Sequence, residues 1–288
     1  MQNGPLTNVL KRVARKLVDR LPPAIAVRVM FLHHSGRLPD LRNPRTFNEK
    51  VQYRKLHGDH ALFASLADKV LVKDHVRRIV GDNLVIPTLW AGTQLPPVEE
   101  RNWPLPFVIK SNRGSKWNLF VRTEADKRWK EIEEACARWL QAKWYPSRAE
   151  PWYDQIPPQV LVEPMLPGIV NEYRLYVFSG RARLVQIDAD LFGHHTRTFY
   201  DTEWNRCKFT RGYHPVKKEE IERPPHLREM IEIAETLGKD FDFVRVDLYD
   251  TDEGPRFGEL TFAPGAGYGR FFPMEYDLLL GEMWRQSG

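Results

Sequence analysis

The stretch FVRVDLYDTDEGPRFGELTF, residues 243–262, alternates apolar and polar side chains on both sides of a turn rich in Asp, Gly and Pro. This pattern predicts a β-hairpin. Alternate residues of a strand share a face, so Arg245, Asp247 and Tyr249 are expected to point one way and the apolar residues between them the other. One face of the hairpin therefore carries charged groups in the middle of its strands.

The two acidic residues of this hairpin are expected to face each other. If Tyr249 pairs with Phe257, Asp247 pairs with Glu259, and their Cβ atoms lie about 5 Å apart. Two carboxylates at that distance repel each other unless a cation lies between them, and Mg²⁺ often takes one or two carboxylates together with substrate phosphates. A salt-bridged surface hairpin, in which Arg245 neutralises both acids, is the alternative that these residues leave open.

Composition and charge narrow the class of protein. The 288 residues are 42% hydrophobic and 28% charged, which is typical of a globular protein with a substantial core. The net charge of +5 is too small to indicate a nucleic-acid partner, and it fits a protein that handles an anionic small molecule. Two distant cysteines, Cys136 and Cys207, predict a reduced, cytoplasmic protein without a disulfide or zinc scaffold.

Residues 1–43 are predicted to be a basic helical segment that precedes the main body of the chain. Within it, LTNVLKRVARKLVDRL, residues 6–21, is typical of an amphipathic helix, with Leu and Val on one face and Lys and Arg on the rest. Packing on the protein body is one interpretation. The other is peripheral contact with an anionic membrane, which would place a cytoplasmic protein at the inner face of the membrane.

The remaining pattern indicates an α+β fold. Most predicted strands are joined by short turns, which favours antiparallel sheets with helices on one side. The predicted strands are 84–90, 107–110, 119–122, 159–166 and two within 171–191, and the predicted helices include 124–144 and 225–238.

A lysine and a small loop suggest phosphate binding. Lys110 ends the apolar strand FVIK and is followed by a loop that contains Gly114 and Ser115. Such a loop can offer backbone N–H groups and a hydroxyl to phosphate oxygens. A plain turn is the alternative, and neither a GxxxxGK[ST] nor a GxGxxG motif is present.

Two acidic residues near strand ends suggest contacts to a nucleoside. Glu163 lies in the strand LVEPML, where main-chain groups of Met165 and Leu166 could face an adenine edge. Glu172 begins the next strand and could accept hydrogen bonds from ribose hydroxyls. Each acid could instead be an ordinary strand-end residue with its charge satisfied locally.

Taken in chain order, these segments resemble the ATP-grasp superfamily over roughly residues 44–284. The matching segments are ADK (67–69), FVIK (107–110), NRGS (112–115), VLVEPML (160–166), NEYRL (171–175), TFYD (198–201), RVDLY (245–249) and GELTF (258–262). Four longer stretches resemble the TupA-like branch of that superfamily: TFNEKVQYRKL (46–56), ADKVLVKDHV (67–76), EMIEIAETLGKDFDFVRVDLY (229–249) and FGELTFAPGAG (257–267).

The resemblance implies an ATP-grasp fold, with two α+β lobes whose antiparallel sheets enclose the nucleotide. A catalytic domain over 44–288 then follows the N-terminal segment. It divides into an N-terminal lobe (44–106), a small lid that binds ATP (107–166) and a metal-binding C-terminal lobe (167–288).

The same resemblance assigns roles to residues and implies ATP and Mg²⁺ as cofactors. The expected ATP-binding residues are Lys69, Lys110, Gly114, Ser115, Glu163, Met165, Leu166 and Glu172. Asp247 and Glu259 are the expected metal ligands, and Arg245 and Lys110 the expected catalytic residues. Two positions depart from the family pattern. Thr261 stands where many members have Asn, a better metal ligand, which questions a second metal. Asn205 stands where some members have Lys, and the neighbouring Arg206 could replace that lysine.

The implied reaction is ATP-dependent joining of a carboxylate to an amine through an acyl phosphate. The TupA-like branch is linked to teichuronopeptide and other cell-surface polysaccharides, which implies a uronic acid and an amino acid or amine as small-molecule or glycan substrates. The basic and aromatic stretches 192–200 and 264–272 are expected to line the acceptor side.

Three other classes of function remain open from the sequence. A glycosyltransferase could use the DxD at 250–252, although a solvated turn also explains that motif. A phosphotransferase would keep the same ATP site, and a non-catalytic binding protein would bind no nucleotide.

Overall fold

The computed structural model describes residues 17–143, 150–168, 171–191 and 193–286. This part of the chain contains eight α-helices and eleven strands, which confirms the predicted α+β class. The helices are α1 (Pro23–Ser35), α2 (Phe47–His57), α3 (His60–Ala67), α4 (Val72–Val80), α5 (Trp129–Gln141), α6 (Trp152–Gln155), α7 (Leu227–Gly238) and α8 (Glu275–Met283). Most of the predicted helix at 6–21 lies outside the described residues.

The strands form one two-stranded sheet and two larger antiparallel ones. They are β1 (Trp90–Gly92), β2 (Phe107–Ser111), β3 (Asn118–Val121), β4 (Val160–Pro164), β5 (Asn171–Phe178), β6 (Arg181–Ala189), β7 (Thr196–Tyr200), β8 (Thr210–Arg211), β9 (Phe243–Thr251), β10 (Gly254–Thr261) and β11 (Phe271–Phe272). The larger sheets have the strand orders β1-β4-β2-β3 and β10-β9-β5-β6-β7, and β8 pairs with β11.

The five-stranded sheet carries the main core on one face. Its apolar side chains from β5, β6 and β9 pack with helix α7, which has an amphipathic sequence and lies against β5, β6 and β9. Val244, Val246 and Leu248 of β9 are fully buried there, as the alternation in the opening hairpin predicts. The opposite face of the same sheet carries the charged residues.

The four-stranded sheet has its own smaller core. Phe107, Ile109, Val160 and Val162 pack with Ile132 and Cys136 of helix α5. The sheet begins at β1, before residue 107, so the predicted N-terminal lobe contributes a strand to the predicted lid. Two predicted elements are wrong in extent: the strand expected at 84–90 starts only at Trp90, and the helix expected at 124–144 is divided into a short 3-10 helix at Glu124–Asp126 and helix α5.

Helix α2 begins with a capping box, and its Gln52 side chain binds the loop that contains Ala266 and Gly267. The Thr46 hydroxyl accepts from the Glu49 N–H while the Glu49 carboxylate accepts from the Thr46 N–H. Further along the helix, the Gln52 amide donates to the carbonyls of Ala266 and Gly267 at 3.0 and 2.9 Å. Gly267 has φ +68°, and a Cβ there would lie 2.3 Å from the Gln52 amide nitrogen, so the close approach requires glycine.

Among the described residues, no helix combines the length and the apolar character that crossing a membrane requires.

Candidate active site

A cavity of about 1200 Å³ lies between the two larger sheets and gathers nearly all the predicted site residues. Those that line it are Lys69, Lys110, Gly114, Ser115, Glu163, Met165, Leu166, Glu172, Arg245 and Glu259. Asp247 is fully buried in the wall beneath them, because its side chain is covered by Arg245 and Arg174. These residues are far apart in sequence, and their roles in binding stay predictions.

One wall of the cavity holds two lysines around a buried acid. Lys110 Nζ donates to Glu163 Oε2 at 2.6 Å, and Lys73 Nζ lies 2.5 Å from Glu163 Oε1. Burial alone would raise the pKa of Glu163, but the two lysines outweigh it and lower this pKa. Both carboxylate oxygens are therefore used to fix lysines, a positioning role that the sequence did not suggest.

Lys73 and Lys110 differ in how many of their ammonium protons are already hydrogen-bonded. Lys73 also donates to the Ile86 carbonyl at 2.8 Å and the Thr88 hydroxyl at 2.6 Å, which accounts for its three protons. Lys110 is 22% exposed, to the cavity. Lys110 is thus the lysine of this pair that can reach a ligand.

The glycine loop is held against the opposite wall by Lys69. Lys69 Nζ donates to the Gly114 carbonyl at 2.8 Å and lies 3.8 Å from Glu259 Oε2. Burial lowers the pKa of Lys69, while Glu259 opposes that shift. Gly114 has φ +77°, a left-handed conformation that favours glycine. Lys69 therefore links the loop of one sheet to the acidic residue of the other.

Asp247 and Glu259 lie opposite each other across the hairpin as predicted, but the register of the two strands differs from the predicted one. Tyr249 pairs with Arg256, so the predicted pairing of Tyr249 with Phe257 is wrong. A β-bulge at Gly258 then shifts the register by one residue and brings Glu259 opposite Asp247. A bulge inserts one residue into one strand only, and the alternation of side chains gave no sign of it.

Three oxygen-bearing side chains converge on one nitrogen of Arg245. Its Nη2 lies 2.5 Å from Asp247 Oδ2, 3.3 Å from Glu259 Oε1 and 3.0 Å from Thr261 Oγ1. Arg245 does neutralise both acids, as the salt-bridge alternative supposed, but it does so on a cavity wall and not on an open surface. Although burial opposes it, Asp247 raises the pKa of Arg245 above its ordinary value.

The donor set around this point fits one hard cation. Two carboxylates and a hydroxyl are the oxygen ligands that Mg²⁺ accepts, usually together with phosphate oxygens. Within the described ranges, no group of three or more His, Cys, Asp or Glu could enclose a metal alone. Mg²⁺ at this place would therefore need ligands from a bound substrate.

Arg174 is the central residue that the sequence reading missed. It makes ion pairs with Glu172, with Asp188 at 2.8 Å and with Asp247 at 3.4 Å. These acids outweigh burial and raise the pKa of Arg174 well above its ordinary value. The signal was available, since Glu172 and Arg174 alternate along β5 and so share one face, by the argument that grouped the hairpin residues.

A second missed cluster lies on β6 and β7 at the far side of Arg174. Asp188 is fully buried and accepts from Arg197 Nε and Nη2 at 2.7 and 2.8 Å. His195 Nε2 lies 3.4 Å from Asp188 Oδ2, and His195 and Arg197 both line the cavity. Burial would raise the pKa of Asp188, but its arginine partners lower it well below the ordinary value.

Several candidates from the sequence do not reach the cavity. The guanidinium of Arg206 donates to the Lys217 and Lys218 carbonyls instead, so it does not replace the missing lysine. In the DxD, Asp250 pairs with His226 at 2.6 Å and Asp252 is exposed at the hairpin turn. Neither aspartate lines the cavity, which removes the geometric basis for a metal–sugar-nucleotide site there.

The chain matches one family model and is similar to several solved structures. A family model described as TupA-like ATPgrasp matches residues 49–285. No curated protein matches the sequence. Among solved structures, the chain is similar to an N5-carboxyaminoimidazole ribonucleotide synthetase in complex with ADP, with 13% identity, a TM-score of 0.46, and coverage of 74% of this chain and 50% of that one.

Two further solved structures are D-alanine–D-alanine ligases. The Helicobacter pylori protein has 14% identity and a TM-score of 0.43, over 78% of this chain and 60% of that one. The Bacillus anthracis protein has 17% identity and a TM-score of 0.45, over 76% and 66%. The chain thus spans 50% to 66% of the length of these three structures.

Proposed function

The chain belongs to the TupA-like ATP-grasp family, and from this premise we propose that it is an ATP-dependent carboxylate–amine ligase that works through an acyl phosphate. One observation carries the proposal. The cavity brings together, between the sheets, two lysines, a glycine loop and a set of side-chain oxygens around the guanidinium of Arg245. Phosphoryl transfer depends on positioning and charge neutralisation and requires no covalent nucleophile from the protein.

The nucleotide would lie against the four-stranded sheet. Lys110 and Lys69 are the proposed ligands of its phosphates, with the Gly114–Ser115 loop covering them. The Met165 N–H already donates to the Pro106 carbonyl at 2.9 Å, so hydrogen bonds to the base would come from the Met165 carbonyl or from Leu166.

The ribose contact assigned to Glu172 has an additional constraint. Its carboxylate accepts from Arg174 and, at 3.3 Å, from the Tyr249 hydroxyl. A carboxylate has about four lone-pair sites, so it can still accept from a ribose hydroxyl while it keeps these partners.

Glu259, Asp247 and Thr261 are the residues that would hold Mg²⁺. The ion, when bound, neutralises charge on the β- and γ-phosphates. Glu259 lines the cavity with a third of its side chain exposed (33%), whereas the fully buried Asp247 would hold the ion only if Arg245 released one of its contacts. Arg245 then has hydrogen-bonding capacity for the transferring phosphoryl group and the later tetrahedral intermediate.

For the substrates, we propose a uronic acid of a cell-surface polysaccharide precursor and an amine or amino acid. The family resemblance supports this choice, and so does the composition of the cavity wall beyond Arg245. Residues from both predicted acceptor stretches line that wall: His195 and Arg197 from one, Tyr268 and Gly269 from the other. A cytoplasmic protein, with the basic N-terminal segment at the inner membrane face, has access to ATP and to such precursors.

The test is a screen for ADP release. Glucuronate and galacturonate, free and as UDP conjugates, are each combined with glycine, alanine, lysine or ethanolamine in the presence of Mg²⁺ and ATP. A ligase releases ADP and phosphate and forms an amide only when both substrates are present. ADP release without an amine, with a stable phosphorylated product, would indicate a phosphotransferase, and turnover of a UDP-sugar without ATP would indicate a glycosyltransferase.

A further inference from the structure

The two histidines of the FGHHTRTFY stretch have different environments. His194 is exposed, and its backbone N–H, not its ring, donates to Asp190. His195 lines the cavity and directly precedes the first residue of β7, Thr196. The proposed reaction uses neither ring in its first half.

His195 is connected to the phosphate-handling part of the cavity through two side chains. Its Nε2 lies 3.4 Å from Asp188 Oδ2, and that oxygen lies 2.8 Å from Arg174 Nη1. The same guanidinium lies 3.4 Å from Asp247. His195 and Arg245 line the same cavity, so one cavity can hold a substrate at each of them.

Asp188 and His214 are the two neighbours that define the surroundings of the His195 ring. Nε2 of His195 is buried and has no hydrogen-bond partner among the described residues, although Asp188 Oδ2 lies 3.4 Å away. His214 packs against His195 with ring centroids 4.4 Å apart, because the Arg197 N–H donates to the neighbouring Pro215 carbonyl. Burial, followed by Arg197, lowers the pKa of His214.

We propose that His195, which lies beside Asp188, is the general base for the amine substrate, and that the wall formed by His195 and His214 is the amine subsite. This inference rests on the proposed ligase function. The charged groups facing the two rings are Asp188 and Arg197 from the sheet and Lys116 from the glycine loop. An ammonium ion has no lone pair and must lose a proton before attack, and the two cations favour that loss.

The proton balance of the step is complete. The ammonium group gives one proton to His195, and the nitrogen lone pair then forms the C–N bond at the acyl carbon. The C–O bond to phosphate breaks, and the second proton that the nitrogen loses goes to the leaving phosphate. The products are the amide, hydrogen phosphate and protonated His195, which returns its proton to water.

The test separates the two halves of the reaction with hydroxylamine. Hydroxylamine is neutral at pH 7 and traps an acyl phosphate as a hydroxamate without a base. The His195→Gln variant should form hydroxamate from the uronate within about twofold of wild type, because the first half of the reaction is intact. Amide formation from the amine at pH 7 should fall by about 10²-fold, the lower end of general-base contributions. The deficit should shrink as the pH rises towards the pKa of the free amine.

His194→Gln is the matched control, since it removes the adjacent exposed imidazole, and it should leave both reactions unchanged. His195→Asn serves as a second variant if His195→Gln does not fold. Equal loss of hydroxamate and amide, or amide formation within twofold of wild type at pH 7, would overturn the role of His195 alone. Absence of hydroxamate with wild-type protein for every uronate would overturn the acyl-phosphate route, and the role of His195 with it.

Discussion

Replacing Lys110 by Met separates ligand binding from stability. Lys110 makes an ion pair with Glu163, and Lys73 lies 2.5 Å from the same acid. In the variant, Lys73 is therefore still present to neutralise Glu163. The fold should therefore survive. A charge-assisted hydrogen bond to a phosphate contributes about 1.5–3 kcal/mol. Since 1.4 kcal/mol is tenfold in affinity, the Kd for a non-hydrolysable Mg·ATP analogue should rise by about 10- to 150-fold.

Variants of two other lysines are the controls for Lys110→Met. Lys73→Met removes three buried contacts and should lower the free energy of unfolding by about 1–3 kcal/mol for each of the two acceptors, Ile86 and Thr88, that lose their donor, while Lys110 still pairs with Glu163. Lys127 is as exposed as Lys110, at 21%, but pairs with Glu124 outside the cavity. Lys127→Met should therefore change neither the Kd for the nucleotide analogue nor the free energy of unfolding.

Calorimetry gives the Kd for each variant, and urea denaturation gives its stability. A Lys110→Met protein that is folded and binds the analogue within twofold of wild type would refute the assignment of Lys110 to the phosphates.

Three more predictions follow from the sheet face. Glu259→Gln should raise the Mg²⁺ concentration for half-maximal ADP release by about tenfold or more, with nucleotide affinity in the absence of Mg²⁺ unchanged. Thr261→Asn should strengthen binding of Mn²⁺ as measured by electron paramagnetic resonance, because an amide oxygen is a better ligand than a hydroxyl; unchanged binding would show that this position is outside the coordination sphere. Asp188→Asn should cost about 3–5 kcal/mol at pH 7. Since the folded pKa of Asp188 lies below its unfolded value of about 3.9, that difference should narrow as the pH falls below about 4.

The sequence predicted the elements of the fold well because their patterns are local. The hairpin at 243–262, the strand pair within 171–191 and the helix at 225–238 each show their own periodicity, and all three are present. The match over 49–285 confirms the family to which the ordered motifs pointed. The bulge at Gly258 escaped prediction, since only the register with the partner strand defines it.

The contacts within the site were less accessible from the sequence. Glu163 looked like an isolated strand-end acid, and its two lysine partners come from a helix and from the neighbouring strand. Asp188 and Arg197 lie on adjacent strands whose register sets them opposite each other. Cross-strand pairs of this kind depend on pairing and not on spacing along the chain, so alternation can assign a face but not a partner.

The cavity face of the five-stranded sheet has a charge balance that limits what it can bind. Seven charged residues of this sheet form one continuous set of ion pairs on that face, namely Glu172, Arg174, Asp188, Arg197, Arg245, Asp247 and Glu259. Four acids against three guanidinium groups leave one net negative charge, and Arg245 already occupies the point where the oxygens of three side chains converge. A single divalent cation, neutralised further by phosphate oxygens, fits that balance. A second would require an oxygen ligand that Thr261 provides only as a hydroxyl, which is why the Thr261→Asn variant reports on metal binding directly.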